Sequence, residues 1–133
     1  MTINIPLKGK KALEKIFKHL NITFNWGLQP KEILILTELY YKNISLKREK
    51  HITEAKDRAT IIFSKSTKDE MIKRLNTSYN SFANTITKFR KLNPMAVSKD
   101  NMLNPLLTRI DPFKPELTIT IVFNYGDKSS KKK

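Results

Sequence analysis

Residues 67–93, TKDEMIKRLNTSYNSFANTITKFRKLN, leave the chain few ways to fold. The spacing predicts two short helices joined by a tight turn. The first helix is expected over about 67–75. Thr67 and Glu70 fit a capping box, in which a hydroxyl and a carboxylate three residues on satisfy free N–H groups at a helix start. Met71, Ile72 and Leu75 then fall on one helical face. Asn76 follows, a residue that tolerates the left-handed turn closing a helix. Ser78 is placed to cap a second helix over about 78–92. On it Phe82, Ile86 and Phe89, with Ala83 and Leu92 beside them, make a core-facing stripe. The opposite face carries Tyr79, Asn80, Ser81, Asn84, Thr85, Lys88 and Lys91, with no acid. Amides, hydroxyls and cations are the groups that bond base edges and phosphates.

This pattern resembles the helix-turn-helix of the winged-helix DNA-binding families. The residues that carry the resemblance are Met71-Ile72 with Leu75, Asn76-Thr77-Ser78, and Phe82, Ile86 and Phe89-Arg90-Lys91-Leu92. The run at 30–36, Pro-Lys-Glu-Ile-Leu-Ile-Leu, is similar to the first core helix of such domains. Asn76 stands where glycine is usual and Phe89 where leucine is common. Asn93-Pro94 replaces the glycine that often turns into the wing. The resemblance covers about a fifth of the chain strictly, and about half with its flanking elements. It implies an α+β, mainly helical fold: a winged helix-turn-helix core with an extra N-terminal helix and a small antiparallel sheet.

Composition narrows the function. With 26 Lys plus Arg against 12 acids the formal net charge is +14, which favours a polyanionic partner, nucleic acid before an anionic membrane surface. Richness in Lys, Asn and Ile also follows from AT-rich codons, but that bias does not remove acids. Cysteine is absent, so disulfides and thiolate metal sites are excluded. The start lacks the apolar core of a signal peptide, and no apolar run approaches the roughly 20 residues that span a bilayer. Three glycines make no phosphate-binding loop, and two distant histidines give no zinc spacing. The neighbouring carboxylates Asp69-Glu70 suit a helix N-terminus. No catalytic residue, cofactor or metal is expected, and no small-molecule ligand is evident.

Along the chain, Leu13, Ile16, Phe17 and Leu20 predict a docked helix over about 10–20, with solvated lysines around it. Ile22, Phe24 and Trp26 alternate with polar residues, as in a short strand. Gly27 ends that piece, and Pro30 suits the first turn of a helix over 30–42. Residues 43–52 read as a basic connection with an exposed His51. Residues 53–64 read as a helix capped by Thr53, or as a strand over 60–64. Residues 95–98 and 102–107 form the expected wing hairpin, with Lys99 at its tip. Leu117, Ile119, Ile121, Phe123 and Tyr125 alternate with polar or β-branched residues, the strongest strand pattern in the chain. That strand is expected to join the wing, with the 22–26 segment a possible third member. The domain plan is one winged-helix-like domain over 1–126, an N-terminal helical extension at about 8–20, and a basic disordered tail over 127–133.

The expected function is non-enzymatic binding of double-stranded DNA, regulatory of transcription or accessory, by a small phage or mobile-element protein in the bacterial host cytoplasm or the virion. Tyr79, Asn80, Ser81, Asn84 and Thr85 would face bases or phosphates beside Thr77 and Ser78, and Lys65, Lys68, Lys88, Arg90, Lys91 and Lys99 would neutralise phosphates. The rival reading is a virion or assembly protein that uses the same scaffold for protein contacts. Its homo-oligomer contacts would run through the C-terminal strand or the N-terminal helix. RNA binding is a third reading.

Overall fold

The computed structural model describes residues 2–5, 9–110, 112 and 117–120. At its centre lies α2, Pro30–Arg48. Pro30 opens it where a missing N–H is harmless, and the Gln29 N–H donates to Glu32 Oε1 at 2.7 Å. Ile33, Ile35, Leu36, Leu39, Tyr40, Ile44 and Leu46 are all buried, so this helix is covered on most sides. A helix of that kind belongs inside a bundle rather than on its surface. Around it pack α1 (Gly9–Thr23), α3 (Ala55–Ile62), α5 (Tyr79–Arg90) and the short α6 (Pro105–Thr108), while α4 (Lys65–Arg74) rests on α3 and α5. The stripe Ala12, Leu13, Ile16, Phe17 and Leu20 of α1 is buried as its periodicity predicts.

Two polar clamps tie these helices together. Glu38 of α2 is only 6% exposed. It receives Lys10 Nζ of α1 at 2.9 Å and Arg74 Nη1 of α4 at 2.6 Å. Tyr40 donates to the Ala96 carbonyl at 2.6 Å and accepts from the Asn104 N–H at 2.9 Å, fastening the 96–104 segment to the core. Burial, partly offset by the Asn104 N–H, pushes the Tyr40 phenol well above its ordinary range, so the group stays a donor. Tyr40→Phe removes both bonds and leaves the Ala96 carbonyl and the Asn104 N–H with only the 3.3 Å bond they make to each other. A loss of about 1–3 kcal/mol is expected in urea unfolding.

The expected winged α+β fold is not what the chain forms: it is mainly helical. The strand pattern at 117–120 pairs with residues 2–5 instead of a wing. The pairing is antiparallel, with Thr2 opposite Thr120 and Ile5 opposite Leu117. Residues 121–125 of the expected strand and the tail at 127–133 lie outside the described residues. The hairpin at 95–107 shrinks to one bridge, Val97 with Leu103. Ala96 and Val97 are wholly buried, and the Ala96 N–H donates to the Phe89 carbonyl at 3.2 Å, so this segment folds back onto the core. Its second half becomes α6, because Asn104 caps the Leu106 N–H at 2.9 Å and Pro105 takes the first helical position.

Other boundaries also move. The 22–26 segment is no strand: α1 runs to Thr23, and the Asn21 side chain closes the following loop on the Leu28 N–H (2.9 Å) and carbonyl (3.3 Å). Phe24 and Trp26 stack at 5.5 Å, and the buried Trp26 donates to the Asn93 carbonyl at 3.2 Å, an anchoring role. The basic stretch 43–48 continues α2, since Asn43, Ile44 and Leu46 extend its buried face. Helix α3 forms with Glu54, not Thr53, at its N-cap. Among the described residues, four turns place a residue other than glycine in left-handed backbone: Asn25 (φ 53°), His51 (φ 58°), Asn76 (φ 52°) and Asn101 (φ 59°).

Candidate nucleic-acid interface

The surface that the sequence singles out is built by α4, the turn at 75–78, and α5. Helix α4 starts earlier than its sequence pattern indicates. Ser64 is the N-cap and accepts from the Thr67 N–H at 3.4 Å, while Thr67 is buried and Glu70 pairs with Arg74 at 3.5 Å. The helix ends in a Schellman turn. The Thr77 N–H reaches the Ile72 carbonyl at 3.1 Å and the Asn76 N–H reaches that of Lys73 at 3.2 Å, with Asn76 left-handed. Lys31 of α2 adds a bond from its Nζ to the Asn76 carbonyl at 3.0 Å. Ser78 then caps α5 by accepting from the Ser81 N–H at 3.0 Å, as expected.

Helix α5 divides cleanly. Phe82, Thr85, Ile86 and Phe89 are buried, at spacing i, i+3, i+4, i+7. Opposite them Asn80, Asn84, Thr87 and Lys91 lie in one exposed row, with Ser81 and Ala83 beside it and Tyr79 50% exposed at the start. Ala83 is therefore not part of the core stripe. The first turn of α5 holds no acid.

Of the residues proposed from sequence, Ser78, Tyr79, Asn80, Ser81, Asn84 and Lys91 share this exposed surface, and Thr77 is half-buried in the turn. Three others turn inward. Thr85 is 6% exposed and donates to the Ser81 carbonyl at 2.9 Å, because position 85 is three after Phe82 and four before Phe89. Lys88 is held by Glu32 at 2.8 Å and by the Gly27 carbonyl at 2.9 Å, on the side facing α2. Arg90 is half-buried and donates from Nη2 to Asn101 Oδ1, with its Nε sealed from solvent and unpartnered among the described residues.

The remaining cations flank the row. Lys68 lies over the Tyr79 ring at 5.8 Å, a cation–π distance. Lys65 is fully exposed and bonds Asp69 at 3.0 Å. Its ammonium pKa lies above the ordinary lysine value, first through that hydrogen bond and then through the carboxylate's charge. An exposed pair of this kind is weak and readily exchanged for a phosphate. Lys99 is exposed on the turn whose Asn101 is gripped by Arg90, so it sits beyond the C-terminal end of α5 with Asp100 beside it. Two residues were missed from sequence. Thr87 could have been found from the 80, 84, 87, 91 spacing. Lys31 had no local signal, since its approach to Asn76 is a tertiary contact.

Among the described residues no cluster of three or more His, Asp or Glu is arranged to hold a metal ion, and no helix is long and apolar enough to cross a membrane. No protein-family model matches this chain, and no curated protein and no solved structure matches it either.

Proposed function

We propose that this protein is a non-enzymatic duplex-DNA-binding protein, regulatory or accessory, that lays the outer face of α5 along the major groove. The observation that carries the proposal is the exposed, acid-free row Asn80, Asn84, Thr87 and Lys91, set on a rigid helix in a chain of net charge +14. Carboxamides pair in bidentate fashion with adenine, and lysines with phosphates. Buried Phe82, Ile86 and Phe89 fix the helix, so these groups are presented without a large ordering cost. No arginine points outward from the row, so guanine readout is weak and sequence preference modest.

Mobility shift with a labelled AT-rich duplex tests this reading. Asn84→Ala is expected to weaken binding about 5- to 100-fold on a preferred sequence and little on others, the worth of one bidentate base contact. Thr85→Ser serves as a control, because its side chain faces inward. If Asn84→Ala changes nothing while Lys91→Glu abolishes binding, base readout by α5 is wrong and backbone contact remains. If the parent chain shifts no duplex at low salt, the proposal fails.

A further inference from the structure

Arg58 stands apart from every other buried charge in the described chain. It is 7% exposed. Its Nε donates to Asn43 Oδ1 at 2.7 Å, and its Nη1 to the Ile52 and Thr53 carbonyls at 2.9 and 2.8 Å. Buried Glu38 faces two cations, but among the described residues no carboxylate lies within ion-pair distance of Arg58. Burying a cation without a counter-charge is costly unless other groups compensate. Here three neutral oxygens do so in part, at Nε and Nη1, without supplying a charge.

Arg58 also lines a cavity of about 320 Å³ between α3 and the 95–105 segment. Arg58 and Asn43 line it together with Ala59, Met95, Met102 and Leu103, and no acid is among its lining residues. Because Asn43 Oδ1 accepts from Arg58, the orientation of its carboxamide is set, and its Nδ2 is a donor. Neither Asn43 Nδ2 nor Arg58 Nη2 has an acceptor among the described residues. Among the described residues Arg90 Nε is the sealed side-chain atom without a partner, so these two donors keep some accessible area, and both residues line this cavity, Asn43 also lining the neighbouring groove beside Lys47 and Thr108. The cavity is therefore lined by a cation that has no carboxylate partner among the described residues and by two donors without acceptors there, beside largely apolar walls.

We propose that this cavity binds a small monocarboxylate with an apolar body. A carboxylate offers two oxygens to Nη2 and Nδ2 and supplies the missing charge, the geometry for which a guanidinium is suited. A chain or ring of several carbons replaces water against Met95, Met102 and Leu103. The volume is that of a small-ligand site. A phosphate dianion fits less well, since one cation and two donors leave half its charge unmatched in an apolar setting. The site shares no residue with the outer row of α5, so it stands or falls separately from DNA binding.

Thermal unfolding of the full chain tests the proposal, with sodium butanoate, hexanoate and octanoate as probes. The corresponding alcohols and sodium chloride at equal ionic strength are the controls. A six- or eight-carbon carboxylate at about a hundredfold excess over its Kd is expected to raise Tm by roughly 5 °C or more, with no rise from the alcohols. Arg58→Lys should weaken the response at least about tenfold, as the paired donors are lost. Should that variant not fold, Ala55→Trp decides: position 55 is exposed on the rim of the cavity, and the indole should abolish the response while the fold persists. The proposal is overturned if no carboxylate raises Tm, if alcohols act as well, or if Ala55→Trp responds like the parent.

Discussion

Between about 50 and 200 mM salt, affinity for duplex DNA is expected to fall roughly a hundredfold. The magnitude follows from the cations that the fold leaves available. Lys65, Lys68, Lys91 and Lys99 can reach phosphates from the α5 side, whereas Lys88 and Arg90 are spent on Glu32 and Asn101. About four neutralised phosphates give a slope of log affinity on log salt near −3.6. The same logic separates two lysines three residues apart. Lys91→Gln should make the slope shallower by about one unit and weaken binding to all sequences alike. Lys88→Gln should leave the slope unchanged and instead loosen the attachment of α5 to α2. Anisotropy titrations at several salt concentrations measure both. A slope shallower than about −2, or an equal response to the two substitutions, would show that the wrong face has been chosen.

Phe17→Ala is expected to cost about 3–5 kcal/mol in urea unfolding, the usual range for truncating a buried aromatic. Its ring is wholly buried and meets Tyr40 edge-on, with centroids 5.2 Å apart and planes at 62°. Such aromatic pairs add about 0.5–1.5 kcal/mol beyond area burial. Total stability of a domain this size is on the order of 5–15 kcal/mol, so a large share would be lost. Lys15→Ala, on the exposed side of the same helix, should change stability by less than about 0.5 kcal/mol. If Phe17→Ala cost under about 1 kcal/mol, α1 would be a loosely attached arm, and its lysines would need reconsidering as ligand contacts.

How much of this was legible in sequence depends on the range of the forces involved. The buried stripes of α1 and α5, the Asn76 turn and the Ser78 cap rest on spacing and short-range hydrogen bonds, and all could be read directly. Thr85 was equally readable, since 82, 85, 86 and 89 are helix neighbours, but its hydroxyl drew it to the polar face. The length of α2 was hidden by the lysines at its end, although Tyr40, Asn43 and Ile44 continue its period. The wing hairpin rested on the turn chemistry of Lys99-Asp100-Asn101 as well as on the family resemblance, and the turn is there, with Asn101 left-handed, while the strands are not. Asn104-Pro105 is a helix start in its own right. The joins between Lys88 and Glu32, Arg58 and Asn43, and Glu38 and its two cations span 15 or more positions. No local pattern contains such pairings, because packing creates them.

The four left-handed turns at Asn25, His51, Asn76 and Asn101 carry a consequence for the denatured chain. Glycine at these points would give the backbone many more shapes to abandon on folding, a penalty in entropy that grows with each flexible joint. Asparagine and histidine accept a local energetic cost in the native hinge but leave the disordered ensemble narrower. Successive helices thus begin their search for one another from a stiffer starting point than glycine joints would allow.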